Sequence, residues 1–209
     1  MAYKCTSKAA VKYEALCAWI YVRCRKCENC LKARRHVFQI RAAREQMKAK
    51  ATWFVTLTFG PERRARIFRL ASEMENSLSQ QDRLVRASGW YVTKFIKRLR
   101  KAGFEFSYMM VAEPHRDGFP HYHGIIHDQR GTLRWAALDA KWSAGYSVIK
   151  LVRDIGAIRY VTKYIAKGRF GRIRCSHKYG DEPVGETTRH SMDDSRAREA
   201  NAELGERVE

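Results

Sequence analysis

The sequence contains no run of about 18 apolar residues, the length a helix needs to cross a bilayer, so no segment is expected to lie within a membrane. Its first residues, MAYKCTSKAAVKY, lack the apolar centre of a secretory signal. Without such a signal, six cysteines are expected to stay reduced or to hold metal rather than to build a disulfide framework. No phosphate loop of the form GxxxxGKS or GxxxxGKT occurs, so no ATP-driven step is expected. No helicase segment is visible either. Acidic residues are also scarce, 22 against 41 Lys and Arg in 209 residues.

That deficit is uneven. Residues 181–209 hold nine acidic and four basic side chains, which leaves the first 180 with 37 basic and 13 acidic groups, a net of +24. A body this cationic calls for a polyanion, and aromatics interleaved with the charges, as in WYVTKFIKRLRK, point to nucleic acid. The length suits one domain with a small appendage. We divide the chain into a Cys-rich basic element with a helix (1–50), a core (51–180) and an acidic tail expected to be disordered (181–209).

YEALCAWIYVRC reads as a short strand or extended arm, and LKARRHVFQIRAAREQMKAK as a basic amphipathic helix. TWFVTLTF is a strand stopped by GPE, and Gly60 to Gly89 a polar surface excursion with some helix. GWYVTKFIKRLRKAG is a helix ending at Gly103, FEFSYMMVAE a strand, PHRDGFP a turn and HYHGIIH the next strand. TLRWAALDAKWSAG is expected to be a helix capped at Thr132, YSVIKLVR a strand, Asp154 to Gly168 a helix, and RFGRIRCSHKYG irregular. This order predicts an α+β fold, a central antiparallel sheet with helices packed on it.

Side chains alternate across a strand, so His121 and His123 share a face, about 6–7 Å apart along it, with Tyr122 opposite. A hairpin centred on Asp117 places Glu113 opposite His121. Two histidines and a carboxylate with open positions make a catalytic site for a divalent ion rather than a closed structural one. His127 falls on the same face and is read as a supporting or surface residue. On the helix that follows, Tyr160, Lys163, Tyr164 and Lys167 form one stripe about 100° wide. A phenol can attack a DNA phosphate, and a neighbouring ammonium favours its ionised form. The similar YVTKFI at Tyr91 has Phe95 in place of the second tyrosine and is read as a packing helix.

Cys24, Cys27 and Cys30 recur at intervals of two intervening residues, a spacing that suits zinc, with an iron–sulfur cluster as the other option. Cys5 is the first choice for a fourth ligand, with Cys17 and His36 behind it.

PHYHGII resembles the histidine–hydrophobic–histidine motif of HUH endonucleases. YVTKYIAK resembles the two-tyrosine motif of their rolling-circle branch, as in initiators of microviruses, and FVTLTF resembles that family's first motif. CRKCENC before a basic helix is similar to the start of gokushovirus-type initiators. The resemblance covers about Thr52 to Lys167 in the family's order. It implies a sheet-centred fold, Mg²⁺ or Mn²⁺ on His121 and His123, Tyr160 and Tyr164 as nucleophiles with Lys163 between them, and a 5′-phosphotyrosine link. It further implies a single-stranded DNA origin as substrate, a host helicase and polymerase as partners, and the cytoplasm of a bacterial host. Glu113 as third ligand is the hairpin inference. Two other functions stay open: a non-enzymatic, zinc-containing basic DNA-binding protein, and an HUH transposase or relaxase.

Overall fold

The computed structural model describes residues 4–13, 18–25, 27–74, 77–166 and 173–181. Lys167, Cys17 and the acidic tail from residue 182 lie outside them. Strand β3 (Ala51–Phe59), β4 (Phe106–Pro114), β5 (Pro120–Asp128), β6 (Gly145–Leu151) and β7 (Ile173–Cys175) form one sheet in the order β6-β3-β5-β4-β7, with every pairing antiparallel. Ahead of it, β1 (Ala9–Tyr13) and β2 (Ala18–Val22) make a separate hairpin, followed by α1 (Glu28–Lys48). The expected α+β architecture is therefore what the chain adopts.

Alternation decides which face each residue serves. On one face, Trp53, Val55, Leu57 and Phe59 of β3 meet Tyr122 and Ile126 of β5 in the main core. Covering them are α2 (Pro61–Ser72), α3 (Gln80–Lys101) and α4 (Trp135–Lys141). Helix α3 buries Leu84, Val85, Tyr91, Val92, Phe95, Ile96 and Leu99, an apolar stripe at helical spacing that confirms Phe95 as a packing residue. On the other face, Met109, Val111 and Ile125 pack against Ala42 of α1 and Ile158, Val161 and Ile165 of α5 (Gly156–Ala166).

Four local readings are revised. The stretch after Gly60 is two helices, and α3 begins at Gln80, where the Ser79 hydroxyl accepts from the Asp82 N–H at 3.1 Å. Thr132 does not cap α4. Buried Asp128 instead takes the N–H groups of Arg130, Gly131 and Leu133 at 3.2, 3.0 and 2.7 Å, which holds 129–133 as a turn and starts the helix at Trp135. The segment read as irregular contains β7, whose three residues are too few to show a period. The N-terminal arm is a hairpin rather than one strand.

The β4–β5 turn fixes the register that matters. The His115 N–H donates to Phe119 O at 2.8 Å and the Gly118 N–H to His115 O at 2.9 Å, and Gly118 sits at φ +81°, a conformation that favours glycine. Asp117 accepts from the Phe119 N–H at 3.0 Å and forms an ion pair with Arg64 of α2, which also lies 4.4 Å over the Phe119 ring. The Arg64 guanidinium holds the Asp117 carboxyl below the usual range.

His127 is fully buried, not at the surface. Its Nδ1 lies 3.1 Å from Thr52 Oγ1 and its Nε2 2.8 Å from Tyr179 Oη, so it locks the turn after β7 to the sheet. Burial pushes its pKa down to about 4, against the pull of Glu45. In the unfolded chain an imidazole titrates near 6.5. Between pH 6.5 and 4 the unfolded state therefore takes up a proton that the folded state refuses, and stability falls as pH falls, by up to roughly 3 kcal/mol from this residue. Without added metal, His127→Gln should flatten that part of the denaturation-midpoint-versus-pH curve. An unchanged slope between pH 6.5 and 4 would refute this role.

Candidate active site and metal centres

The hairpin pairs Glu113 with His121 and Val111 with His123 across β4 and β5. Odd-numbered residues of both strands face α5, so the carboxylate and both imidazoles emerge together. His121 Nε2 and His123 Nε2 are 3.0 Å apart, and Glu113 Oε2 stands 2.9 Å from His123 Nε2 and 3.4 Å from His121 Nε2. All three side chains are largely buried, at 7 to 16 % exposure. Three ligand atoms each about 2.0–2.2 Å from one ion stand about 3 Å apart when their bonds meet near right angles, so this triangle fits a divalent ion with open positions left for substrate.

Burial comes first in lowering the pKa of both histidines. For His123 it acts with the positive charges of His121 and Lys163 and brings the value down to about 4. Both rings are therefore neutral at pH 7 and offer a lone pair. His123 is also oriented from behind, its Nδ1 lying 3.0 Å from Thr56 Oγ1, its partner across β3 and β5. Phe54, two residues earlier on the same face, stacks on His123 with ring centroids 6.0 Å apart. Neither supporting residue was singled out from the sequence. Their signal was present, because FVTLTF alternates Phe54 and Thr56 onto one face.

Helix α5 carries Tyr160 to this cluster. The Tyr160 ring stands edge-on to His123 with centroids 5.6 Å apart, and edge-on to Phe54 at the same distance. Lys163 Nζ lies 3.7 Å from the centre of the Tyr160 ring. Tyr160 keeps 41 % of its surface exposed. Tyr164 lies one turn further along α5, with its side chain outside the described residues.

A second cluster stands apart from the sheet. Cys5 precedes β1, Cys24 follows β2, and Cys27 and Cys30 flank the start of α1. Their sulfurs all lie within 4.8 Å of one another, with Cys5–Cys24, Cys5–Cys27 and Cys24–Cys30 at 3.6, 3.9 and 4.0 Å. Four thiolates about 2.3 Å from a tetrahedral ion stand about 3.8 Å apart, so the donor set fits. The Cys24 N–H donates to Cys5 Sγ at 3.4 Å and the Cys27 N–H to Cys24 Sγ at 3.3 Å. Hydrogen bonds from Thr6 pull the Cys27 thiol down to about 5, and burial pushes Cys30 up to about 12. Cys5 thus joins the cluster as fourth donor, while His36 sits exposed on α1 outside it.

A family model for the replication-associated protein ORF2 matches residues 52–169, more than half of the chain, from the first residues of β3 to just beyond α5. The chain belongs to this family of replication-associated proteins. The matched span holds the carboxylate–histidine triangle and Tyr160, and leaves the cysteine cluster, α1 and β7 outside it. No curated protein and no solved structure matches the chain.

Support from behind a ligand sets metal affinity, and losing it typically costs ten- to a hundredfold. Thr56→Val keeps the shape of the side chain but removes the oxygen at His123 Nδ1. It should weaken Mn²⁺ binding by roughly tenfold in calorimetric titration. Equal affinity would show that Thr56 does not orient the ligand.

Proposed function

We propose that this protein initiates rolling-circle DNA replication by cutting and rejoining one strand of DNA through a tyrosyl phosphodiester. The observation that carries the reading is the contact of Tyr160 with His123, a phenol held against three convergent metal-ligating side chains. A replication family, a basic body and the resemblance of PHYHGII and YVTKYIAK to HUH motifs support it.

Glu113, His121 and His123 would hold Mg²⁺ or Mn²⁺, which when bound draws charge from a phosphate and eases departure of an alkoxide. The chain's own residues do the rest. The Tyr160 oxygen attacks phosphorus, forming the P–O(Tyr) bond as the P–O3′ bond breaks. The phenolic proton passes to solvent, and the departing O3′ takes up a proton to become a 3′-OH. Lys163 supplies a positive charge beside the phenol while its proton leaves. The 3′-OH primes synthesis, and the 5′ end stays on the protein. Phosphodiester energy is kept in that link, so attack by a 3′-OH on the phosphotyrosine rejoins DNA without ATP. Tyr164, one turn on, serves the second cut that releases a completed circle. Strand separation and synthesis fall to a host helicase and polymerase in a bacterial cytoplasm. The four cysteines hold a structural Zn²⁺ that pins the N-terminal hairpin to α1.

On denaturing gels with labelled single-stranded origin DNA and Mn²⁺, the wild type should give a heat-stable covalent adduct. Tyr160→Phe and Tyr164→Phe should each retain some nicking but lose circle closure, and the double variant should form no adduct. Phenylalanine preserves ring packing, so an adduct surviving in the double variant would place the nucleophile elsewhere.

Freshly purified, reduced protein should carry about one zinc per chain and lose stability when a strong chelator removes it. Absence of zinc by elemental analysis would overturn the assignment of the cysteines.

A further inference from the structure

The sheet face that carries the histidines is covered unevenly. Helix α5 lies over β4 and β5, and the neighbouring half formed by β3 and β6 is open among the described residues. A cavity of about 710 Å³ occupies that half, floored by Phe54, Thr56, Val148 and Lys150 and walled by Tyr160. Register explains its composition. Thr58, Thr56 and Phe54 of β3 pair with Tyr146, Val148 and Lys150 of β6, so the β6 row extends the same face that bears His123. A strand edge normally hides such residues, yet Tyr146 is 70 % and Val148 50 % exposed. Two cations, Lys150 and Arg153, stand at the rim. Asp154, the carboxylate there, is occupied by the Gly156 N–H at 2.6 Å, at the start of α5.

We infer that this groove takes the unstacked bases of single-stranded DNA next to the phosphate that Tyr160 attacks, with Tyr146 and Val148 as base platform and Lys150 as phosphate contact. The inference rests on the nicking reading, and it adds which residues choose the sequence. Three observations favour DNA bases over a peptide strand as occupant. The groove shares Tyr160, Phe54 and Thr56 with the candidate active site, so whatever lies in it is continuous with a substrate held there. Its floor joins an aromatic and an aliphatic side chain to lysine, the mix that stacks bases and neutralises their backbone. The body of the chain carries +24, which repels cationic and favours anionic polymers. Its volume lies within the range of pockets that hold organic ligands of nucleotide size.

The experiment measures binding and reaction separately on the full chain. Binding is read by fluorescence anisotropy of short labelled single-stranded and duplex oligonucleotides, and adduct formation by denaturing gel. The variants are Tyr146→Ala with Val148→Ser, and Lys150→Ala, with Trp135→Ala as a control for an equally exposed aromatic on α4 (61 % exposed). The groove variants should bind single strands roughly tenfold more weakly, with little change on duplex, and the control should bind as wild type. With wild type, an abasic residue at one position flanking the cut should weaken binding by a similar factor, and in the Tyr146→Ala, Val148→Ser variant that position should cease to matter. Equal weakening on duplex would reduce the groove to a charge effect and overturn the proposal. So would wild-type binding and an unaltered abasic profile in the groove variants. If adducts form while those variants behave as wild type, the groove falls and nicking stands. If single-strand affinity depends on the groove but no adduct forms with any DNA, the groove stands and the nicking reading falls.

Discussion

The pairing register of β4 with β5 is the constraint on which this molecule turns. A slip of one residue would send Glu113 to the face opposite His121 and His123, since a strand has a side-chain period of two. The register is therefore over-determined. Gly118 supplies the positive φ, Asp117 ties the turn to its own backbone, and Arg64 binds that turn to α2 through both an ion pair and the Phe119 ring. Further along β5, Tyr122 anchors the opposite face. It donates to Val85 O at 3.2 Å and lies 2.9 Å from Ser88 Oγ, inside α3. Each strand residue pointing into the main core thus also aims its neighbours at the candidate site.

The two faces divide the work. The α2–α4 side is a dry, aromatic-rich core that sets strand positions, with Phe59 meeting Tyr91, Phe119, Tyr122 and Trp142 edge-on. The α1–α5 side is thinner and carries the polar chemistry. There α1 packs on α5, and the turn after β7 clamps α1 in place. The Gly180 N–H donates to Glu45 at 2.9 Å, Asp181 pairs with Arg41 at 2.9 Å, and Tyr179 reaches beneath to His127. Gly180 lies so close to Arg41 that a Cβ there would stand 2.4 Å from backbone atoms, so only glycine lets the clamp close. Position of the Tyr160 helix therefore depends on segments far away in sequence and outside the span matched by the family.

What the sequence made legible was local. HYH on a strand, Glu113 across a tight turn, and Tyr160 and Lys163 one helical stripe apart need only a period and a turn. Cys5 was the one long-range guess that the fold bears out as a neighbour of Cys24, Cys27 and Cys30. What stayed hidden required pairing between distant strands. Thr56 becomes a support only because β3 lies beside β5, β7 is too short to announce itself, and His127 looked superficial because its cover, Tyr179, is 52 residues away. Thr132 misled because a hydroxyl before an apolar run imitates a cap, while the donors nearby had already been claimed by Asp128.

The two histidines are held unequally. His123 is braced by Thr56 and stacked by Phe54, whereas the buried Nδ1 of His121 meets no hydrogen-bond partner among the described residues. One imidazole is a fixed post and the other a swivel, able to turn about its own bonds without breaking any bond behind it. A site built that way grips by one side and adjusts by the other, so its selectivity among ions of different radius is set by how far His121 can rotate rather than by the rigid spacing of the strand.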